Sequence, residues 1–309
     1  MNAIIGQMPT LANPPLPEGT QLENYRILRM LAAGGFSFVY LAHDENQTPV
    51  AIKEYRIAED DPVKFSHGMR CFFEEGRALA GLLHPNVVRV LNFFRANDTV
   101  YLVMRYERGR SLQEHVRHRR GALDEAWIRN TFADLLNGLR EVHSNKLMHL
   151  DIKPANVYIR NDGTPLLIDF GAARQTLSGE GVQLPPTYTP GFASPEQHTH
   201  RELLGPWSDI YSVGATMYAS LAAAAPQPAD QRLENDELTP ARRAWSGKYS
   251  AELLDIVDWC LRLDHLERPQ SVFSLQKALL GEKVPEYQGK PTVLHGIKDA
   301  VLRFTGTFF

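Results

Sequence analysis

Six segments of the chain carry residue types and spacings suited to phosphate chemistry. The densest is His149-Leu150-Asp151-Ile152-Lys153-Pro154-Ala155-Asn156, with a carboxylate, an ammonium and an amide within six residues. In a polar loop between a helix and a strand, the carboxylate of Asp151 can accept a proton from an attacking hydroxyl. Lys153 can neutralise phosphate charge, and the amide oxygen of Asn156 is a hard ligand suited to Mg²⁺. Ile168-Asp169-Phe170-Gly171 brings a second hard carboxylate 18 residues after Asp151, behind a short apolar strand.

The other segments are weaker alone. Leu31-Ala32-Ala33-Gly34-Gly35-Phe36-Ser37-Phe38-Val39-Tyr40 is a small-residue turn between two strand-like runs, where backbone N–H groups can approach phosphate oxygens. A glycine pair in an ordinary hairpin reads the same way. In Val50-Ala51-Ile52-Lys53 the lysine can reach phosphates held by that turn, although a lysine ending an apolar strand is commonly just solvated. Glu75, in FFEEGRALAGLLHPNVV, could pair with Lys53; Leu79 one turn later and the run onward to His84-Pro85-Asn86 favour it over Glu74, and a surface glutamate is the ordinary alternative. Thr189-Pro190-Gly191-Phe192-Ala193-Ser194-Pro195-Glu196 is followed by Trp207-Ser208-Asp209 and Glu267-Arg268-Pro269. A buried Glu196 would need a cation such as Arg268 to avoid an uncompensated charge.

Two kinds of element must position these groups. YRILRML, FVYLAHD and PVAIKEY are β-branched or aromatic runs, then a helix is expected around Met69–Leu83. Two more strand-like runs, VVRVLNFFRAND and TVYLVMRYE, meet at the turn-prone Asn97-Asp98. That makes about five strands and one helix. After Gly109 the chain reads as mostly helical, with Asp124 capping a helix whose apolar residues recur every three or four positions. Short strands are expected at NVYIR and PLLIDF, and helices at 208–224, 250–263 and 271–280.

Composition excludes more than it names. The chain has 309 residues, 43% hydrophobic and 22% charged, which excludes a disordered chain, a collagen-like fibre and a disulfide scaffold. A net charge of -3 gives no global case for nucleic acid or an anionic membrane. The two cysteines, Cys71 and Cys260, lack metal-ligand spacing and fit reduced thiols. The longest nearly apolar stretch, Val213–Ala225, has 13 residues. A membrane span needs roughly 20. With no signal-peptide pattern at the start, the expected compartment is the cytoplasm.

VAIK, HxDxKPxN, DFG and SPE in this order resemble the protein kinase family, over about residues 25–281. The resemblance implies an α+β, bilobal protein-kinase-like fold. A small, mostly antiparallel β N-lobe (about 21–106) would join a larger, mainly helical C-lobe (about 107–281), flanked by a flexible leader (1–20) and a tail (282–309). By that resemblance Lys53, oriented by Glu75, would hold the α- and β-phosphates of ATP. Leu31, Gly34, Gly35, Val39, Ala51, Met104 and Tyr106 would line the nucleotide site, with Val39 and Ala51 around the adenine, Met104 as gatekeeper and Arg105–Glu107 as hinge. Asp151 would orient or deprotonate the hydroxyl, and Lys153 would stabilise the transferring phosphoryl. Asn156 and Asp169 would hold Mg²⁺, with Mn²⁺ as an alternative. Thr189 would brace the catalytic loop, and Glu196, Asp209 and Arg268 would build the substrate-side platform.

DxKPxN looks like the serine/threonine class. The resemblance therefore implies an ATP- and Mg-dependent kinase of protein Ser and Thr hydroxyls, of the soluble bacterial kind, with autophosphorylation and an opposing phosphatase. Neither a nucleic-acid partner nor a membrane span is expected. A pseudokinase scaffold is the alternative, supported by Ala32 and Ser37 at family glycine positions and by Leu150 where many members carry arginine. A small-molecule phosphotransferase is opposed by the SPE motif, Asp209 and Arg268.

Leu150 cannot clamp a phosphorylated loop as an arginine would. Activity is therefore expected to depend little on phosphorylation of 172–190, where Arg174 offers a local phosphate contact and Thr176, Ser178, Thr187 and Tyr188 are candidate sites. The basic run Arg117–Arg120 reads as a solvated helix end, with a substrate or nucleic-acid contact as the alternative. His198 and His200 read as polar loop residues, and 225–239 lies where the resemblance places a substrate-facing helix, with a variable loop as the ordinary reading. The near-helical apolar spacing after Tyr287 reads as a segment that docks on the second lobe or anchors elsewhere.

Overall fold

The computed structural model describes residues 14–34, 37–56, 62–119, 123–170 and 188–281. Alternation in the β-rich runs becomes a sheet with two unlike faces. Its strands are β1 (Gln21–Leu22), β2 (Tyr25–Ala33), β3 (Ser37–His43), β4 (Pro49–Tyr55), β5 (Val90–Ala96) and β6 (Thr99–Arg105), in the antiparallel order β1-β2-β3-β4-β6-β5. Tyr40, Ile52, Tyr101 and Val103 are buried in a small core on one face. The register pairs Val39 with Lys53, Ala51 with Met104 and Lys53 with Leu102, so these residues share the other face.

The sheet has six strands rather than the expected five, because the two-residue β1 pairs with β2. Two residues carry no alternation to read. Residues 14–20, within the expected leader, bond to this lobe: the Leu16 N–H donates to Tyr40 Oη at 3.1 Å and the Gly19 N–H to the Ile27 carbonyl at 2.8 Å. β5 and β6 are joined by Asn97 and Asp98, both left-handed at φ 49° and 59°, the conformation a two-residue hairpin demands.

Helix α1 (Pro62–Ala80) begins seven residues before the expected Met69. Its opening, PVKFSHG, lacks apolar periodicity, and proline suits a first helical turn. The second lobe holds a small sheet, β7 (Gly109–Ser111), β8 (Val157–Arg160) and β9 (Pro165–Leu167), and the helices α2 (Leu112–Arg119) and α3 (Glu125–Ser144). Further along are α4 (Pro195–Thr199), α5 (Pro206–Ala222), α6 (Ala229–Glu234), α7 (Ala241–Ala244), α8 (Ala251–Cys260) and α9 (Val272–Leu279). The expected ends at 224 and 263 fall short: Ala223 turns left-handed at φ 55° and closes α5, and Leu261 closes α8.

Asp124 caps α3 by accepting from the Ala126 N–H at 3.2 Å, and Ile128, Phe132, Leu135, Leu136, Leu139 and Val142 face the core. The 225–239 stretch is built in rather than loose. Arg232 on α6 is buried, bonded to Asp236, to Tyr211 Oη and to the Leu261 carbonyl. Among the described residues, no helix is long and apolar enough to cross a membrane.

Candidate active site

The β8–β9 hairpin brings two distant motifs together. Val157 pairs with Leu167, and the Ile168 N–H donates to the Asn156 carbonyl at 3.0 Å, so Asn156 and Asp169 leave the hairpin side by side. Lys53 reaches across from β4: its Nζ lies 2.7 Å from Asp169 Oδ1. The Lys53 ammonium, against the opposing effect of burial, holds the Asp169 carboxyl well below the usual carboxylate range. Lys53 Nζ also sits 5.4 Å from the centre of the Phe72 ring on α1. Glu75 lies on α1, with its side chain outside the described residues, as are Gly35 and Gly171.

Asp151 is held from three sides. Thr189 Oγ1 donates to its Oδ1 at 2.7 Å, Lys153 Nζ to its Oδ2 at 2.8 Å, and Asn156 Nδ2 to the same Oδ2 at 2.9 Å. Lys153 Nζ also reaches Thr189 Oγ1 at 2.7 Å, so Thr189 joins carboxylate and ammonium. Asn156 spends its amide N–H groups on Asp151, on Oδ2 and on the backbone carbonyl. Its Oδ1 is left without a donor among the described residues, as is Asp169 Oδ2. These hard oxygens fit a cation that keeps water and phosphate in its remaining positions, as Mg²⁺ does. No group of three or more His, Cys, Asp or Glu that could hold a metal occurs among the described residues.

The 149–156 loop is held by buried groups packed against it. Asp209, fully buried on α5, accepts from the backbone N–H of His149 at 2.9 Å and of Leu150 at 2.7 Å. His143 Nε2 closes on the same carboxylate at 2.7 Å. Burial pushes the Asp209 carboxyl up, but the His143 hydrogen bond and charge outweigh it and the net shift is downward. The His149 ring bridges the two motifs, with Nε2 at 3.1 Å from the Ile168 carbonyl and Nδ1 accepting from the Asp151 N–H at 3.3 Å. Glu196 and Arg268 form the expected buried pair, bidentate at 2.8 and 2.9 Å. Ser208 and three backbone carbonyls satisfy their remaining valences. The pair therefore ties the first turn of α4 to the segment that follows α8.

On the cleft face of the sheet, Val39, Ala51 and Met104 are half-buried, and Leu31 occupies an irregular step of β2 between Met30 and Ala32. At the turn the Gly34 N–H donates to the Ser37 carbonyl at 2.8 Å. Tyr106 and Glu107 follow β6; Glu107 is tied to the second lobe by Arg160 at 3.2 Å.

Three participants escaped the sequence reading. His143 lies in the last turn of α3, and nothing in the sequence couples it to Asp209, 66 residues away. His149 is visible only as the opening of its motif. Gln197 Nε2 donates to the Leu150 carbonyl at 2.9 Å while its Oε1 accepts from the Ser194 N–H at 3.0 Å. Its only signal is adjacency to Glu196. His198, expected to be a polar loop residue, lies on α4, with its ring 4.2 Å from Tyr188 and its Nε2 buried without a partner among the described residues.

Comparisons with known proteins meet this geometry from outside. The protein kinase domain family matches residues 25–280. Serine/threonine-protein kinase B of Synechocystis sp. is 30% identical over 278 residues, which is 85% of this chain and 47% of that protein. Serine/threonine-protein kinase PknA of Nostoc sp. is 29% identical over 268 residues, 82% of this chain and 46% of that protein. The chain thus spans about half the length of the curated relatives it matches. The solved structure "PpkA-294 apo form" superposes with a TM-score of 0.76 at 31% identity, covering 86% of this chain and 99% of that one. Protein kinases use ATP together with a divalent metal ion. A family match that runs from β2 to the end of the last described helix, on a frame shared with a solved relative, leaves one assignment: the chain belongs to the protein kinase family.

Proposed function

We propose that the protein transfers the γ-phosphoryl group of ATP to Ser and Thr hydroxyls of proteins, itself included, with Mg²⁺ as the working metal. The observation that carries this reading is the cluster of Asp151, Lys153, Thr189 and Asn156, joined by hydrogen bonds of 2.7–2.9 Å. Asp151 is the group that orients and deprotonates the acceptor hydroxyl, and Lys153 lies beside it as a fixed positive charge for the phosphoryl oxygens. Lys53 holds the α- and β-phosphates, and Asn156 Oδ1 with Asp169 would hold the metal. A bound Mg²⁺ would supply charge neutralisation between phosphate oxygens. Relatives named as serine/threonine kinases support the hydroxyl class.

A pseudokinase is disfavoured because Lys53, Asp151, Asn156 and Asp169 are all present and mutually connected. Cytoplasmic location belongs to the same proposal as an expectation from the sequence, and an opposing phosphatase rests on the resemblance alone. Incubation with labelled ATP, Mg²⁺ and a generic protein substrate tests it. Label should appear on Ser and Thr with the wild type and fall at least about a hundredfold with Asp151→Ala. Equal incorporation by both proteins contradicts it.

A further inference from the structure

Beside the catalytic loop lies a groove of about 640 Å³. Lys153 and Thr189 form its inner end, and Arg117 on α2 stands at another wall. Between them the lining is small and apolar, notably Ala155, Ala219 and Ala224. The room is structural in origin. Gly191 is left-handed at φ 86°, and a Cβ there would lie 2.7 Å from the Pro226 carbonyl, so the 223–226 loop closes tightly on the 189–192 segment. With alanine side chains on that loop, close packing of the backbone still leaves the groove open.

Its charge is one-sided: among the described residues the lining includes Lys153 and Arg117 and no carboxylate. Lys153 is partly compensated by Asp151 at 2.8 Å. Arg117 is exposed and makes no ion pair or hydrogen bond among the described residues. The acid nearest along α2, Glu114, is occupied by the N–H and hydroxyl of Ser111 at 2.8 and 3.0 Å. Arg110, His118 and Arg119 are exposed around the same helix and extend the positive field.

Resting on the kinase reading above, we propose that this groove receives the acceptor protein's chain beside the phosphorylated Ser or Thr. It selects a segment with one aliphatic side chain for the alanine-lined floor and a carboxylate for Arg117, and it disfavours segments flanked by Lys or Arg. Continuity with Lys153 and Thr189 puts such a segment next to Asp151. The uncompensated cation sets the sign of the preference.

Two synthetic peptides test this, identical apart from the residues around a single serine, which combine leucine with glutamates in one and leucine with lysines in the other. With the full chain and Mg·ATP, the glutamate peptide should show about tenfold higher kcat/KM, and the ratio should shrink with added salt. Arg117→Glu should abolish or invert the ratio. Ala224→Trp should raise KM for the leucine peptides more than for a glycine-substituted one. A lysine peptide used equally well or better overturns the proposal, as does a ratio unmoved by Arg117→Glu. Autophosphorylation without transfer to either peptide overturns it alone. No transfer to any acceptor, itself included, overturns the kinase reading with it.

Discussion

Leu150 shows how a single residue sets the regulation expected of this site. Its aliphatic side chain is only 3% exposed, so it offers no cation to a phosphorylated loop. Its backbone is left-handed at φ 59°, a conformation that costs a non-glycine residue about 1–2 kcal/mol. Two hydrogen bonds hold it there, from its N–H to Asp209 and from Gln197 to its carbonyl. Gln197 thereby ties the 194–197 segment directly to the residue before Asp151, a link that needs no phosphate. Phosphatase treatment of purified protein should leave its rate of substrate phosphorylation within about twofold; a loss of most activity would refute this. Gln197→Leu should lower kcat about tenfold while leaving KM for ATP near the wild-type value, because it loosens Asp151 and touches no nucleotide-binding group. A change confined to KM for ATP would contradict that role. The candidate phosphorylation sites Thr176, Ser178 and Thr187, and Arg174 beside them, lie outside the described residues.

At the scale of elements, helices α3 and α5 and the β8–β9 hairpin carry the site. Asp209 from α5 and His143 from α3 meet under the loop, and the hairpin delivers Asn156 and Asp169. Close approach makes the α3 contact intolerant of added bulk. A Cβ at Gly138 would lie 2.7 Å from the Asn86 carbonyl, whose own acceptor role toward the Leu167 N–H ties it to β9. Gly138→Ala should therefore cost about 1–3 kcal/mol, visible as a lower unfolding midpoint in urea. An unchanged midpoint would show that α3 can slide. Removing Arg268 leaves the Glu196 carboxylate buried and unpaired, so Arg268→Ala should cost about 3–5 kcal/mol. A cost below 1 kcal/mol would mean that the pair contributes little to holding α4 against the segment after α8.

Across the whole molecule, the motifs were legible in the sequence and their joints were not. VAIK, HxDxKPxN, DFG and SPE each sit in one short window with a fixed order. Asp124, the Asn97-Asp98 turn and the apolar stripe of α3 are likewise local signals. His143 with Asp209, Gln197 with Leu150, and buried Arg232 depend on contacts between segments far apart in the chain or on the far side of a turn, and no periodicity encodes them. Helix ends at Ala223 and Leu261 were misplaced because a left-handed step and a loose C-cap leave apolar spacing unbroken. Buried carboxylates also set the response to acid. Burial pushes Glu196 up while Arg268 pulls it down, and Asp209 behaves likewise with His143, so both titrate below their ordinary values when folded. A depressed folded value means that their stabilisation is complete above the ordinary carboxylate range and is lost as pH falls from there through the lower folded value. The melting temperature should therefore hold between pH 8 and about 5 and drop below about 4; a decline already between pH 7 and 6 would point to histidines instead. On the proposed function, Asp151 activates the acceptor while separate groups hold ATP. The most direct measurement is γ-phosphoryl transfer under saturating Mg·ATP by Asp151→Asn, with nucleotide affinity determined on the same protein. The expected kcat is at least about a hundredfold lower, with ATP affinity retained. A kcat within twofold of the wild type would contradict it.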